Sequence, residues 1–255
     1  PGEAQPREIA AWLHIAEDGA VTVYTGKVEV GQNARTSLSQ VVADELRAPL
    51  ASIQLVMADT DLTPFDAGTT GSRTSPSMAP QLRKVSAAAR RVLTELAAEQ
   101  WQADPASLVV ADGAITNPKT KQSLSFGQLT RGQKLLKAIG DDVPVTPADQ
   151  WKVAGQPARK INGRAAVTGK HRYTSDLKRP GMLCGKVLRP PAYGAKMASL
   201  DTREAEAIPG ATVVRDGDLE GVCAPSEQAA TRAVAALRAE WQTTPQPSES
   251  ELQAI

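Results

Sequence analysis

Aromatic side chains are scarce, with two Phe, three Tyr and four Trp among 255 residues. The core is therefore expected to be built from Ala, Val and Leu, and a base-stacking platform for single-stranded nucleic acid is disfavoured. Cysteine is nearly absent: Cys184 and Cys223 lie far apart, and neither belongs to a CxxC pair. An iron–sulfur or zinc site in this chain is therefore disfavoured. Buried free thiols are the expectation, with a long-range disulfide as the alternative. No apolar run approaches the ~20 residues needed to span a membrane. Neither sign of charge dominates, at 29 basic and 28 acidic residues, and no run of four Lys/Arg occurs, so a nucleic-acid surface has no electrostatic support. Neither GxGxxG after a first strand nor a P-loop lysine motif is present, which weakens a generic nucleotide-binding module. The chain opens Pro1-Gly2-Glu3 without methionine. A processed or omitted N-terminal segment is expected, and an export signal within it would leave no trace here.

What remains is ordinary globular composition, 41% hydrophobic and 22% charged, over a length sufficient for two cores. Trp12-Leu13-His14-Ile15 and Val21-Thr22-Val23-Tyr24 alternate as strands around an Asp18-Gly19 turn. A helix is expected to run to Leu46 and to end at Arg47-Ala48-Pro49. Ser52 to Met57 resumes the strand period. After a polar loop, Gln81 to Gln100 carries Leu82, Val85, Ala89, Val92, Leu93 and Leu96 at helical spacing. Leu108–Val110 and Ala114–Thr116 read as a hairpin. Residues 127–156 are polar and bear Pro and Gly, the composition of a linker. Strands are then expected at Gly181–Leu188 and Ala211–Val214, a further one is carried by Gly217–Cys223, and a Ser226-capped helix runs to Trp241. Residues 243–255 read as an extended connector.

Two segments carry chemistry. Gly26-Lys27-Val28-Glu29-Val30-Gly31-Gln32-Asn33 joins a strand to a helix N-terminus, where free N–H groups and the helix dipole suit an anion. Gln32 adds donors and an acceptor there. Lys27 reads as a phosphate partner or a surface lysine. The loop Gly68 to Ser77 places hydroxyls and two glycines before the long helix. Such loops commonly serve as turns and caps, but paired with the first turn it would aim a second helix N-terminus at a shared ligand. His14 and His171 read as structural or exposed rather than as metal ligands. Tyr193 fits either an entrance to a pocket or simple packing.

Gly26-Lys27-Val28-Glu29-Val30-Gly31-Gln32, with Thr36 and Ala43-Asp44-Glu45-Leu46 behind it, resembles the cofactor segment of the xanthine oxidase/aldehyde oxidase family, where Gly-Lys-Val-Glu-Met-Gly-Gln-Gly is common. Gly71-Ser72-Arg73-Thr74-Ser75 is similar to that family's second cofactor loop. Ile161–Tyr173, Pro180–Leu183, Arg189-Pro190-Pro191 and Ile208-Pro209-Gly210 resemble the opening of its α/β hammerhead domain. The likeness is strongest to isoquinoline 1-oxidoreductase and nicotinate dehydrogenase molybdenum subunits. It implies an α+β fold: a molybdopterin-binding segment at 1–126, a linker at 127–156, the hammerhead at 157–242 and a tail at 243–255.

The resemblance also implies molybdopterin cytosine dinucleotide as cofactor, held by Gly31, Gln32, Asn33, Gly71, Ser72, Thr74 and Ser75. Asn33 stands where the family has its next glycine, and asparagine tolerates the left-handed conformation such a turn needs. The family's glycine-rich Phe-Gly segment and the Gly-Glu bearing its catalytic base have no counterpart here. The chain is therefore expected to be part of a larger or split molybdenum subunit, inactive by itself, with no catalytic residue and no direct metal ligand. Glu29 and Glu45 are expected to be structural or solvated. Implied partners are the rest of the subunit, a [2Fe–2S] subunit, a cytochrome c electron acceptor and an aldehyde or N-heterocycle substrate. The competing expectation is a docking fragment that binds no cofactor alone. A periplasmic location is expected from such relatives, with the cytoplasm as the alternative.

Overall fold

The computed structural model describes residues 5–140 and 142–254. Helices and strands are mixed, in two compact units, Pro1–His171 and Arg172–Ile255.

In the first unit, β1 (Leu13–Ile15) and β2 (Val21–Thr25) form the expected hairpin, with Leu13 opposite Val23. Along β2, Val21, Val23 and Thr25 are buried and alternate with half-exposed Thr22 and Tyr24, the period of a strand with one face on a core. A crossover helix α1 (Ala34–Leu46) leads to β3 (Ile53–Met57), which pairs parallel to β2 from Val21–Ile53 to Thr25–Met57. The long helix α2 spans Thr74–Trp101. It starts seven residues earlier than Gln81 because Pro76 falls in the first turn, where no N–H has an intrahelical partner to lose. Pro80 is carried inside the same helix. A meander follows, β4 (Val109–Ala111), β5 (Ala114–Thr116) and β6 (Ser123–Ser125), and then α3 (Phe126–Thr130), which opens on a Ser125/Gln128 capping box. The third strand escaped the sequence pattern because a single apolar residue, Leu124, shows no alternation.

Trp12, Leu13, Ile15, Leu38, Leu46, Leu82, Leu93, Ile115 and Phe126 make one fully buried core. Helix α1 is buried on nearly every side, its polar residues included. Those residues hold the polar segment around 144–161. Asp44 accepts the N–H groups of Lys152, Val153 and Ala154 at 2.9, 3.0 and 2.5 Å. Gln40 donates to the carbonyls of Val153 and Gln156 at 2.7 and 2.9 Å, and Thr36 Oγ1 accepts the Ile161 N–H at 3.1 Å. Thr36, Gln40 and Asp44 recur every four residues, so one stripe of α1 fastens the strap. Glu45, fully buried, accepts from Thr146 N and Oγ1 and pairs with Arg83 at 2.9 Å and Arg90 at 3.7 Å. Residues 127–156, the expected linker, thus lie within the first compact unit, as does the short α4 (Gly163–Val167).

In the second unit, β7 (Cys184–Val187), β8 (Lys196–Asp201), α5 (Arg203–Glu206), β9 (Thr212–Asp216), β10 (Leu219–Ala224), α6 (Glu227–Ala236), β11 (Arg238–Gln242) and α7 (Glu249–Gln253) follow in order. β7, β10 and β9 form an antiparallel sheet in that spatial order, and β8 pairs with β11. Ser226 caps α6 as expected, its Oγ accepting the Ala229 N–H at 3.2 Å. The helix stops at Ala236 rather than Trp241, because Leu237 turns extended and Arg238–Gln242 pairs with β8. Ala205, Val222, Ala233 and Leu237 form a small core. Both cysteines are free and half-buried. Cys184 sits opposite Ala224 and Cys223 opposite Gly185, so the two thiols point to opposite faces of one sheet and a disulfide between them is excluded.

Candidate functional site

Parallel pairing of β2 and β3 ends both strands at one edge, with Thr25 beside Met57. Two loops leave from that edge: residues 26–33 lead to α1, and residues 58–73 lead to α2. The region beyond the carboxyl ends of parallel strands is where open α/β sheets bind ligands. The loops are stapled together. Lys27 Nζ lies 2.8 Å from Asp66 Oδ1, with both side chains under 10% exposed, and donates to the Gly68 carbonyl at 2.7 Å. The Val28 N–H donates to Thr69 Oγ1 at 2.8 Å. At Gly26 a β-carbon would fall 2.4 Å from Asp66 Cβ, so only glycine allows the loops to come this close. Lys27 is therefore neither a phosphate partner nor a surface lysine. It is a buried strut, and only its contact with Asp66, 39 positions away, reveals that.

Within the first turn, Gly31 has φ 107° and Asn33 φ 68°, so Asn33 occupies the left-handed region as glycine would. Gln32 folds onto its own turn, with Oε1 accepting the Val30 N–H at 2.7 Å and Nε2 donating to the Val28 carbonyl at 2.8 Å. Its amide clamps the loop. The start of α1 is already filled by a carboxylate from the chain itself. Glu29 Oε1 accepts the N–H groups of Gly31 and Asn33 at 2.9 and 3.0 Å, and Oε2 accepts that of Arg35 at 2.9 Å. Lys160 Nζ stands 3.3 Å from the same carboxylate, whose side chain is 6% exposed. Burial pushes the Glu29 pKa up, but the N–H groups of Arg35, Asn33 and Gly31 and the Lys160 ammonium outweigh it and hold the carboxyl below its ordinary value. Glu29 is thus structural, as expected, in a capping role that sequence spacing conceals. A capping acid ordinarily lies at the cap or in the first turn, whereas Glu29 reaches back from five residues before Ala34.

The second loop is different. Gly71 and Ser72 are both left-handed, at φ 61° and 56°, and the Arg73 N–H closes the turn onto the Thr70 carbonyl at 3.2 Å. Thr74 and Ser75 belong to the first turn of α2 rather than to the loop before it. The N-cap residue Arg73 makes no side-chain cap of α2, no other side chain among the described residues supplies one, and the first turn holds no acidic residue. Thr74 is buried to 9% exposure, while Gly71, Ser72 and Ser75 are exposed. The start of α2 therefore offers N–H and hydroxyl donors and the positive end of a 28-residue helix, with no carboxylate against it. That donor set suits the oxygens of a pyrophosphate. Five of the seven predicted site residues thus fall on two stapled loops at one sheet edge and the other two, Thr74 and Ser75, on the first turn of α2, with their roles divided between turn-forming and donor-bearing.

No group of His, Cys, Asp and Glu among the described residues is arranged to hold a metal ion. The buried carboxylates Asp44, Glu45, Glu29 and Asp66 are all engaged in hydrogen bonds or ion pairs of the first unit. His14 alternates in β1, half-buried, and Tyr193 in the second unit is 91% exposed. No helix among the described residues is long and apolar enough to cross a membrane.

Two neighbouring loops beyond parallel strands, one leading to a helix whose N-cap residue makes no side-chain cap, form a surface whose donors suit an anion. Residues 2–174 match the molybdopterin cofactor-binding domain, and the chain belongs to that family, that of the molybdopterin-binding subunits of xanthine oxidase type. The chain is 32% identical to a nicotinate dehydrogenase subunit of Pseudomonas putida, over 92% of this chain and 20% of the relative. It is 31% identical to a membrane-bound aldehyde dehydrogenase (pyrroloquinoline-quinone) of Gluconacetobacter polyoxogenes, over 92% of this chain and 32% of that one. It therefore spans between a fifth and a third of the length of these relatives. A solved structure of the Cu,Mo-CO dehydrogenase aligns with 46% of this chain and 15% of its own at 22% identity, with a TM-score of 0.42, a likeness too weak to carry weight.

Proposed function

We propose that this chain is the cofactor-receiving part of a molybdenum hydroxylase subunit, in an oxidoreductase that oxidises aldehydes or hydroxylates N-heterocycles with water-derived oxygen. The observation that carries the proposal is the pair of loops at the β2/β3 edge, fixed to each other by Lys27–Asp66 and ending in one open helix N-terminus. Molybdopterin cytosine dinucleotide is the cofactor we assign, and it supplies the redox chemistry when bound. The chain's own residues bind and orient it. Thr74, Ser75 and the first N–H groups of α2 receive the pyrophosphate, Gly71 and Ser72 shape the turn that leads to them, and Gly31, Gln32 and Asn33 form the facing wall.

Catalysis is assigned outside this chain. Among the described residues, the buried carboxylates Asp44, Glu45, Glu29 and Asp66 are each tied to N–H groups or to Lys and Arg, which leaves none of these four as a general base. We propose accordingly that the chain is inactive alone and works with the rest of the molybdenum subunit, a [2Fe–2S] subunit and an electron acceptor such as a cytochrome c. We assign residues 157–242 to the hammerhead domain on the order of their motifs, the first of which, 161–173, begins within the first compact unit.

The test is calorimetric titration of the full chain with pyrophosphate and with cytidine diphosphate. Wild-type chain should bind both, and Thr74→Val with Ser75→Ala should weaken binding about tenfold or more, the loss of one or two hydrogen bonds to a charged group. Equal binding by wild type and the double variant would refute the placement at α2.

A further inference from the structure

The two helix N-termini at this site look alike in sequence and are opposite in state. That of α2 is open, and that of α1 is filled by Glu29. Glu29 is 6% exposed and accepts three main-chain N–H groups, while the N-cap residue Asn33 makes no side-chain cap of its own. Lys160 completes the arrangement from 131 positions away, donating to the Glu29 carboxylate at 3.3 Å and to the Gly31 carbonyl at 3.2 Å. The next residue, Ile161, is pinned by its N–H to Thr36 Oγ1. Arg35 faces elsewhere, its guanidinium donating to the Leu55 carbonyl. The anion cradle of α1 therefore has its own resident anion, and the strap supplies the counter-ion.

We infer that Glu29 and Lys160 are positioning residues: the carboxylate stands in for a ligand anion at the start of α1, so the Gly31–Asn33 turn is shaped in advance and phosphate is directed to the start of α2 alone. A phosphate entering the α1 cradle would meet a buried carboxylate, and like charges at such a separation repel strongly. The same carboxylate holds the turn without help from any ligand, which removes an ordering cost from binding. This inference rests on the proposed cofactor role only for what the turn is shaped to receive.

Chemical rescue tests it on the full chain. In Glu29→Ala, hydrogen exchange at the Asn33 and Arg35 amides should accelerate roughly tenfold, as for loss of a helix cap. Added formate or acetate should restore protection in Glu29→Ala and leave wild type unchanged. Combining Glu29→Ala with Lys160→Met should abolish that rescue. Pyrophosphate should bind wild type at one site and Glu29→Ala at two, since the vacated cradle becomes available. Should Glu29→Ala not fold, Glu29→Gln serves: it keeps one acceptor oxygen, so it should lose protection at Arg35 while retaining it at Asn33, or the reverse. Unchanged exchange in the Glu29 variants, or a carboxylate effect equal in wild type and Glu29→Ala, would overturn the inference. Pyrophosphate that fails to bind wild type would count against the cofactor role alone, and acetate rescue would still decide the role of Glu29.

Discussion

Asp44→Asn should detach the strap from α1. Asp44 is 3% exposed, and its two oxygens accept three N–H groups, one on Oδ1 and two on Oδ2. Asparagine keeps one carbonyl oxygen. Seated in the Oδ2 position it retains Val153 and Ala154 through neutral bonds, and its amide group then confronts the Lys152 N–H, donor against donor. Converting charge-assisted bonds to neutral ones and stranding one donor costs about 2–4 kcal/mol. With a urea m-value of ~3 kcal/mol/M, at the upper end for small domains, the midpoint for the first unit should fall by about 1 M with m unchanged. Hydrogen exchange should rise at Lys152–Ala154 before it rises in β2. A midpoint shift below about 0.3 M, with exchange at 152–154 unaltered, would show that the strap is held by something other than this carboxylate.

Stability should also respond to pH through Glu29. Its folded pKa lies below the ordinary 4.5, so its contribution is complete above that value and is lost as pH falls through the folded pKa. Acid titration of amide protection at Asn33 and Arg35 reads this directly, and Glu29→Gln should flatten the profile. Ser86, 1% exposed within α2, has a buried hydroxyl with no hydrogen-bond partner among the described residues. Ser86→Ala should therefore raise stability by about 1 kcal/mol, through relief of that burial and better helix propensity, as measured by urea midpoint.

The strand–turn–helix–strand unit was legible because each part announces itself locally. Val21 and Val23 alternate, Asp18-Gly19 turns, and Asn33 takes φ 68° at the position where glycine is usual. The two loops could be named from their motifs for the same reason. What stayed hidden depends on partners far away in the chain. Polar, proline-bearing composition at 127–156 is that of a linker until Asp44, Glu45 and Gln40 are seen to engage it, from 101 to 116 positions away. Lys27 is a charged residue in a polar turn until Asp66 covers it. Pro76 lies in a stretch whose polar composition is that of a loop, although the first turn of α2 has no bond for it to break. Trp241 continues a helical pattern by eye, but pairing with β8 claims it for a strand.

The strap has a consequence for the order in which the first unit can be completed. Thr36, Gln40 and Asp44 are almost fully enclosed in the finished molecule, yet the strap groups that bind their side chains lie at 152–161. A ribosome adding roughly 5–20 residues per second delivers that segment some 5–20 s after α1 has emerged. Throughout that interval α1 carries a polar stripe that only water can satisfy, so its burial waits for the strap. The loop that closes is long, and closure entropy places such contacts late in folding. The Gly31–Asn33 turn receives Lys160 in the same late event, so that turn gains its final shape only when nearly the whole first unit has been synthesised.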